Sequence, residues 1–441
     1  MTTNTKSGNE LLLKPAEESV PYDYCISWLK NLAVECVKKG HLPIKVGKIY
    51  GADDFWMILI IHAMMHLSLD EASDRLNRIL WKVENTHRRH KIKPAEYKGK
   101  FKRRRRKCPN GDQTRKYRNK LPNWLVKDLN KFIFEQQIDH ALRTGLITNE
   151  IELIIDNTDQ WYYGNDRYPT NPFITKGQRG PGTSRKRKYI GVMLKSGTTY
   201  LYCGVDLIKK KFSFVPFILK TADILLQKGF KIRYIIGDRE FPTFELLKDL
   251  PSRGIDYIGP YRKWKSVKRI VEHYIKYGGD YVVPYTVKGA PHKYYNQPVI
   301  QVYLILTNRQ GRRLQDIRRD YAKKLKTMTE CTKEIMVMMT TVRPPAEKKK
   351  RQGWSVQICR MYDHRWQIET GFRDLNRIAP PSNARTNTRK LFMFSVRFWI
   401  YNAWQLERAK RRKLRRCPKS WRCGPTLKRF TDCVLEMEVY V

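Results

Sequence analysis

The sequence predicts an α/β fold in which a mixed sheet forms the core, carries a β-rich insertion and is preceded by an all-α region. Three observations predict it. Residues 21–146 repeat apolar side chains at three- and four-residue intervals, the period of helices that bury one face. From Ile147 onward short β-like runs alternate with turn signals. Two of the buried runs stop at an acid, Ile151–Asp156 and Ile232–Asp238. Three antiparallel-type strands, then a helix and a strand suited to parallel pairing, follow the strand logic of a ribonuclease-H-like sheet.

Taken in order, residues 1–20 are polar and read as a flexible N-terminus. Tyr24, Trp28, Leu29, Leu32, Ala33 and Cys36 mark a first helix, Asp53 to Met65 a second. A third follows Ser68 or Asp70, with Ala72, Leu76, Ile79 and Leu80 as its stripe and the polar residue as cap. These helices fit either a helix-turn-helix or ordinary three-helix packing. Asn123 to Leu146 resumes the helical period and meets Gly145. The core begins at 147–262: a run at Ile151, a hairpin of Tyr189–Leu194 and Thr199–Leu207 around Lys195-Ser196-Gly197, a helix Val215–Lys228, the run to Gly237, a helix Thr243–Leu250 and a strand at Tyr257-Ile258. Residues 263–345 read as the β-rich insertion, with strands near 281–287 and 299–306 and a basic polar stretch, Arg312 to Lys326. Residues 346–405 return to helix, one long element over Trp354–Ile378 and another beginning near Lys390. A basic tail, 406–441, closes the chain.

Charge narrows the partners. The 441 residues hold 88 Lys and Arg against 42 Asp and Glu, a formal charge of +46. Such a surplus calls for a polyanion. Residues 86–120, inside the helical region, concentrate it in Lys102-Arg103-Arg104-Arg105-Arg106-Lys107 with almost no apolar spacing, which reads as an arm along phosphates. The longest apolar run, Phe55 to Met65, is 11 residues and includes His62, too short for the about 20 that cross a bilayer. Neither a membrane partner nor a signal peptide is expected, and the cytoplasm is the expected compartment. The nine cysteines form no Cys-x-x-Cys pair, so reduced thiols are expected in place of a zinc ribbon.

The chemistry gathers on carboxylates. Asp156 and Asp238 end neighbouring buried strands, and paired acids there call for a cation. Hard oxygen ligands without a His or Cys cluster suit Mg2+ or Mn2+. If the first strand runs longer, Asp159 could replace Asp156. On the long helix, Tyr362, Arg365, Glu369, Arg373 and Asn376 share a stripe of about 80°, flanked by the apolar Met361, Ile368, Phe372 and Leu375. A solvated Arg365–Glu369 pair is the plain alternative. His364 faces away from that stripe. Gly177-Gln178-Arg179-Gly180-Pro181-Gly182-Thr183-Ser184 lacks the Lys of a P-loop and reads as a turn.

The pattern Tyr362-x2-Arg365-x3-Glu369 resembles the Tyr-x2-Arg-x3-Glu-x6-Lys signature of prokaryotic insertion-sequence transposases with a DDE triad; Asn376 stands where that group has Lys. Leu153-Ile154-Ile155-Asp156-Asn157-Thr158 and Gly237-Asp238-Arg239-Glu240-Phe241 resemble its first and second acidic motifs, so the likeness spans about 150–405. It implies a catalytic triad of Asp156, Asp238 and Glu369 holding two Mg2+ (or Mn2+) ions for strand cleavage and transfer, without ATP. It further implies phosphate contacts from Tyr362, Arg365, Arg373 or Asn376, a homodimer on double-stranded DNA made of terminal inverted repeats and target, and a place with the bacterial nucleoid. Trp264, opening the insertion, is either core filler or a stacking residue for a flipped base. Two rivals remain: an impaired or domesticated DNA-binding protein, favoured by Asn376, and a ribonuclease-H-like nuclease or resolvase.

Overall fold

The computed structural model describes residues 67–78, 108–163, 172–180, 182–209, 214–289, 299–308, 313–378 and 386–414, with isolated positions among 55–63 and Leu427. The helix expected over 24–36, the arm residues Arg103, Arg104, Arg105 and Arg106, and most of the tail lie outside them.

The sheet is built outward from β1 (Glu150–Trp161). Leu153, Ile154 and Ile155 are all buried, so this strand is covered on both faces and must be central. On one side it pairs antiparallel with β3 (Thr183–Ser196), which turns at Gly197 (φ 56°) into β4 (Thr199–Leu207). β2 (Ile174–Gly180) pairs with the other half of β3. On its far side β1 pairs parallel with β5 (Lys231–Gly237), and β5 with β6 (Asp256–Pro260). The order β4-β3-β1-β5-β6, antiparallel then parallel, is the ribonuclease-H-like sheet.

Alternation along β1 splits the core. Ile154 joins a cluster on one face with Tyr189, Met193 and Tyr202, whereas Leu153 and Ile155 join the other. The second face is covered by α4 (Val215–Gln227) and α5 (Phe244–Asp249). The first is covered by helices late in the chain: α10 (Trp366–Arg377) and α11 (Asn387–Leu414).

Residues 263–345 hold more helix than their composition suggests: α6 (Lys265–Tyr277), β7 (Val282–Val287), β8 (Ile300–Asn308), α7 (Leu314–Ala322), α8 (Met328–Glu334) and β9 (Ile335–Thr340). Their three strands extend the central sheet, since β9 pairs antiparallel with β6 at Ile258↔Thr340. The basic polar stretch from Arg312 to Lys326, expected within a β-rich insertion, is largely α7, which buries only Ile317.

Ahead of the sheet, α1 (residues 69–78) starts from a capping box in which Ser68 Oγ accepts the Glu71 N–H (3.1 Å) and Glu71 accepts the Ser68 N–H (2.7 Å). The end of the expected basic arm is instead helical: α2 (Gly111–Lys120) is started by a second box between Asn110 and Gln113 and buries Thr114 and Arg118. α3 (Asn123–Arg143) follows. Within the Gly177–Ser184 stretch the turn is confined to the tip at Gly182 (φ 71°); Gly177 to Gly180 end β2, and Thr183 and Ser184 begin β3.

α11 is buried on nearly every side from Leu391 to Glu407. Its Asn402 completes the edge of β4 as a neighbouring strand would. The carboxamide oxygen accepts the Tyr202 N–H (2.8 Å), and its nitrogen donates to Tyr202 O (2.8 Å) and to Gln137 Oε1 (2.8 Å). Among the described residues, no helix is long and apolar enough to cross a membrane.

Candidate active site

Register brings the first two acids together. Ile155 on β1 is the parallel partner of Gly237 on β5, so Asp156 and Asp238 occupy the next step on adjacent strands. β1 does run on to Trp161, but Asp159 is not drawn into the site: it pairs with Lys186 of β3 at 3.2 Å.

The third acid arrives from the opposite end of the sequence. The single helix expected over 354–378 is two helices, α9 (Lys348–Asp363) and α10. At the junction the amides of His364, Arg365, Gln367 and Ile368 bond to carbonyls three residues back, at 3.1, 2.9, 3.0 and 3.1 Å. This is one turn wound tighter than an α-helix. Its cause is tertiary. Two consecutive residues are both tied to β1: His364 Nδ1 lies 2.8 Å from Glu152 Oε2, and Arg365 Nη1 donates to Asp156 Oδ2 at 3.1 Å. Glu152 and Asp156 share one face of the strand, and the tightened turn lets 364 and 365 meet both.

Arg365 has a second carboxylate in hand. Its Nη2 is 2.7 Å from Glu369 Oε1, and its guanidinium stands 5.4 Å from the Tyr362 ring. One buried cation thus joins Asp156 to Glu369. Asp156 also accepts the Asn157 N–H at 2.8 Å. Burial pushes the Asp156 carboxyl up to about 6; Arg365 and the Asn157 N–H pull it down, while Asp238 and Glu369 push it further up. Those last two contributions place Asp238 and Glu369 each within electrostatic reach of Asp156. Burial opposes the Arg365 charge, yet the facing Tyr362, Asp156, Glu369 and Asp238 hold its pKa above the ordinary value. Burial likewise lifts the Tyr362 hydroxyl to about 12.

Among the described residues no three His, Cys, Asp or Glu side chains stand as a ready metal cage. The Arg365 guanidinium takes the position between Asp156 and Glu369 that a shared cation would need. The donors themselves fit a hard divalent ion: carboxylate oxygens, one of them with its pKa raised by burial and, further, by its like-charged neighbours.

The other residues singled out by sequence fall at the rim. Arg373 is exposed, with a 3.4 Å bond to Thr370, and Asn376 is exposed further along α10. Trp264 is 56% exposed, so it does not fill the core; the Arg262 guanidinium lies 5.8 Å from its ring. Two supporting groups escaped the sequence reading. Glu152 is held by Lys195 (3.0 Å) as well as His364, and Glu240 by Lys188 (2.7 Å) and Asn157 (3.3 Å). The parity of 152 with 156, four apart on a strand, is the signal that could have found the first.

A family model described as a transposase DDE domain matches residues 153–402, more than half of the chain, with Asp156, Asp238 and Glu369 inside the match. The chain belongs to this DDE transposase family. Its members are DNA transposases, nucleases and transesterases that generally use divalent metals. No curated protein matches the chain. Among solved structures it is similar to a piggyBac transposase synaptic complex with hairpin DNA, at 11% identity over 96% of this chain and 81% of that one, with a TM-score of 0.48.

Proposed function

We propose that this transposase cuts double-stranded DNA at the terminal inverted repeats of its own element and joins the freed ends to target DNA, with Asp156, Asp238 and Glu369 as the catalytic residues. The observation that carries the reading is the meeting of an acid within β1, an acid just past the end of β5 and a helix-borne acid around one guanidinium. The same three would hold Mg2+ or Mn2+, two ions per site, which when bound activate the attacking hydroxyl and stabilise the leaving oxygen at phosphorus.

The chain's own residues do the rest. Arg365 balances Asp156 and Glu369 before DNA arrives, and its fork then suits a backbone phosphate bidentately. Tyr362, its pKa raised to about 12, remains a neutral donor beside that phosphate. Glu152 and His364 fix the turn that aims Arg365. Arg373 on the exposed face of α10 reaches for the next phosphate, and the basic run Arg103–Arg106 supplies further charge for the DNA backbone. Paired ends call for two subunits. The Tyr362, Arg365, Glu369 spacing supports the narrower placement among prokaryotic insertion-sequence enzymes, working in the cytoplasm at the nucleoid.

Asn376 favours a second reading, a copy that binds ends but no longer cuts them. A nicking assay on DNA carrying the repeats that flank the gene separates the two. Asp238→Asn should keep end binding and lose Mg2+-dependent nicking; nicking at the wild-type rate would reject this site, and no nicking by the unaltered chain would favour the second reading.

A further inference from the structure

Away from the three acids, five cations gather where α2, β3 and α11 meet. Tyr189 of β3 stacks on Phe394 of α11 with ring centroids 3.9 Å apart, which lays one face of the helix along one face of the strand. Arg187 is two residues from Tyr189 on that strand face, and Lys390 and Arg397 flank Phe394 at helical spacing. Arg118 of α2 and Arg389 of α11 complete the group: Arg118 feels the charge of Arg389, and Lys390 feels that of Arg118, Arg187 and Arg397. Burial, with those three cations adding to it, pushes Lys390 down to about 8, and burial pushes Arg397 down to about 10.

The donors here are unspent. Arg118, Arg187 and Arg397 are only 8%, 2% and 4% exposed. Arg187 donates from Nε to Asn387 Oδ1 (3.2 Å), and the side chains of Arg118 and Arg397 make no hydrogen bond or ion pair among the described residues. Of their guanidinium nitrogens only Nε of Arg118 and Nε of Arg397 are cut off from solvent, so the outer nitrogens keep access to it. Crowding buried cations without a counter-charge is costly, and apolar side chains would serve packing better. The helix end adds to the surplus. The first turn of α11 carries Arg389 and Lys390 and no acid, although that end of a helix favours negative charge. Several guanidiniums around one point suit a tetrahedral oxyanion, whose oxygens accept their paired N–H groups.

We propose that this cluster is a phosphate-binding site distinct from the catalytic acids, in which Arg118, Arg187 and Arg397 hold the anion with the half-buried Lys390 beside it. The phosphate is supplied either by the backbone of bound DNA or by free phosphate; the first source rests on the function proposed above, the second does not. Position favours DNA. Arg187 pairs with Gln160 and Gly191 with Asp156, so the cluster lies on the same face of the sheet as Asp156, four strand residues away. That is about 13 Å, or about four phosphates of rise along one strand of a duplex.

Two probes test it on the full chain in chelator. One is sodium phosphate against sodium chloride of equal ionic strength, read as the melting midpoint. The other is a DNA duplex, read as the slope of log affinity against log salt. Both are run on wild type, Arg397→Met, Lys390→Met and, as a control for general charge, Lys248→Met at an exposed position of α5 on the opposite face of the sheet. Free phosphate as the source predicts that phosphate raises the midpoint of wild type and Lys248→Met beyond chloride, and that Arg397→Met loses this excess. DNA as the source predicts that the slope shrinks by about 0.9 in the two cluster variants and holds in Lys248→Met. Each cluster variant sheds a crowded cation, so its midpoint in chloride should equal or exceed that of wild type, which excludes misfolding as the cause. No phosphate excess together with an unchanged slope, or a lowered chloride midpoint in both cluster variants, overturns the proposal. The Asp238→Asn chain should respond to both probes as wild type does, so failure here and failure of the catalytic reading stay distinguishable.

Discussion

Replacing Asp156 by Asn removes one buried charge from the acidic nest but keeps its shape and its acceptor oxygen. Burial, with the Asp238 and Glu369 charges adding to it, outweighs the Arg365 and Asn157 contacts and carries the Asp156 pKa from 3.8 to about 6. The folded chain therefore holds this proton more tightly than the unfolded chain. Stability falls as pH rises between those two values and stays lower above them. At about 1.36 kcal/mol per unit, ionised Asp156 opposes folding by about 3 kcal/mol at neutral pH. A side chain only 13% exposed needs little discount for solvent screening. Asn at this position is neutral throughout and can still accept the Asn157 N–H and one Arg365 N–H. The variant should thus be more stable than wild type by up to about 3 kcal/mol at about pH 7.5, and close to it near pH 4. Urea unfolding of both chains in chelator at the two pH values reads this directly. Adding Mg2+ at the higher pH should then raise the wild-type midpoint more than the variant's, because a bound cation offsets the charge only where the carboxylate remains. A variant no more stable than wild type at neutral pH, or a gain of equal size at both, would refute the account.

Three further outcomes follow from contacts around the same helix. Arg365→Gln takes away the charge that holds the Asp156 carboxyl down, so its titration should move upward; carboxyl carbon shifts followed by NMR would show it, and an unmoved curve would contradict the bridge. Gly371→Ala would place a Cβ 2.5 Å from Tyr202 Oη and 3.1 Å from Met193 Cε, forcing α10 off the sheet two residues after Glu369. We expect a loss of about 1–3 kcal/mol together with a larger loss of nicking, and full activity with an unchanged melting midpoint would count against the close approach. Asn402→Leu strands the Tyr202 N–H and C=O and the Gln137 Oε1, and should cost about 3 kcal/mol or more on denaturation.

How much of this was legible differs by element. The core strands could be read because burial on both faces leaves apolar runs such as Leu153–Ile155, and the helices on the core because their stripes are wide. Asp156 and Asp238 stood out for the same reason, as acids ending runs that cannot tolerate them unaided. The extension of β1 to Trp161 could not be read: Asn157 to Trp161 are polar or half-exposed and become strand only because β3 offers partners from Ile190 to Lys186. α7 was hidden by its single buried Ile317. The pairing of β9 with β6 joins residues about eighty apart, which no local pattern encodes.

The tightened turn at 364–365 was illegible for a different reason, and it decides what the Arg365–Glu369 pair means. Read along a regular helix, that pair is a solvated i,i+4 bridge, worth about 0.3–0.5 kcal/mol. In the fold Arg365 is only 17% exposed, and its other arm reaches Asp156, which lies 209 residues away in sequence. The energy at stake there is the several-fold larger cost of an ionised buried carboxylate beside two like charges. A bond worth a few tenths of a kcal/mol cannot be what keeps an arginine buried; the need to balance Asp156 can. The spacing Tyr-x2-Arg-x3-Glu then acquires a physical content. Three residues across an overwound turn stack Tyr362 near Arg365, four along the next helix give Glu369 to the same guanidinium, and the turn itself exists because β1 pulls on two consecutive side chains.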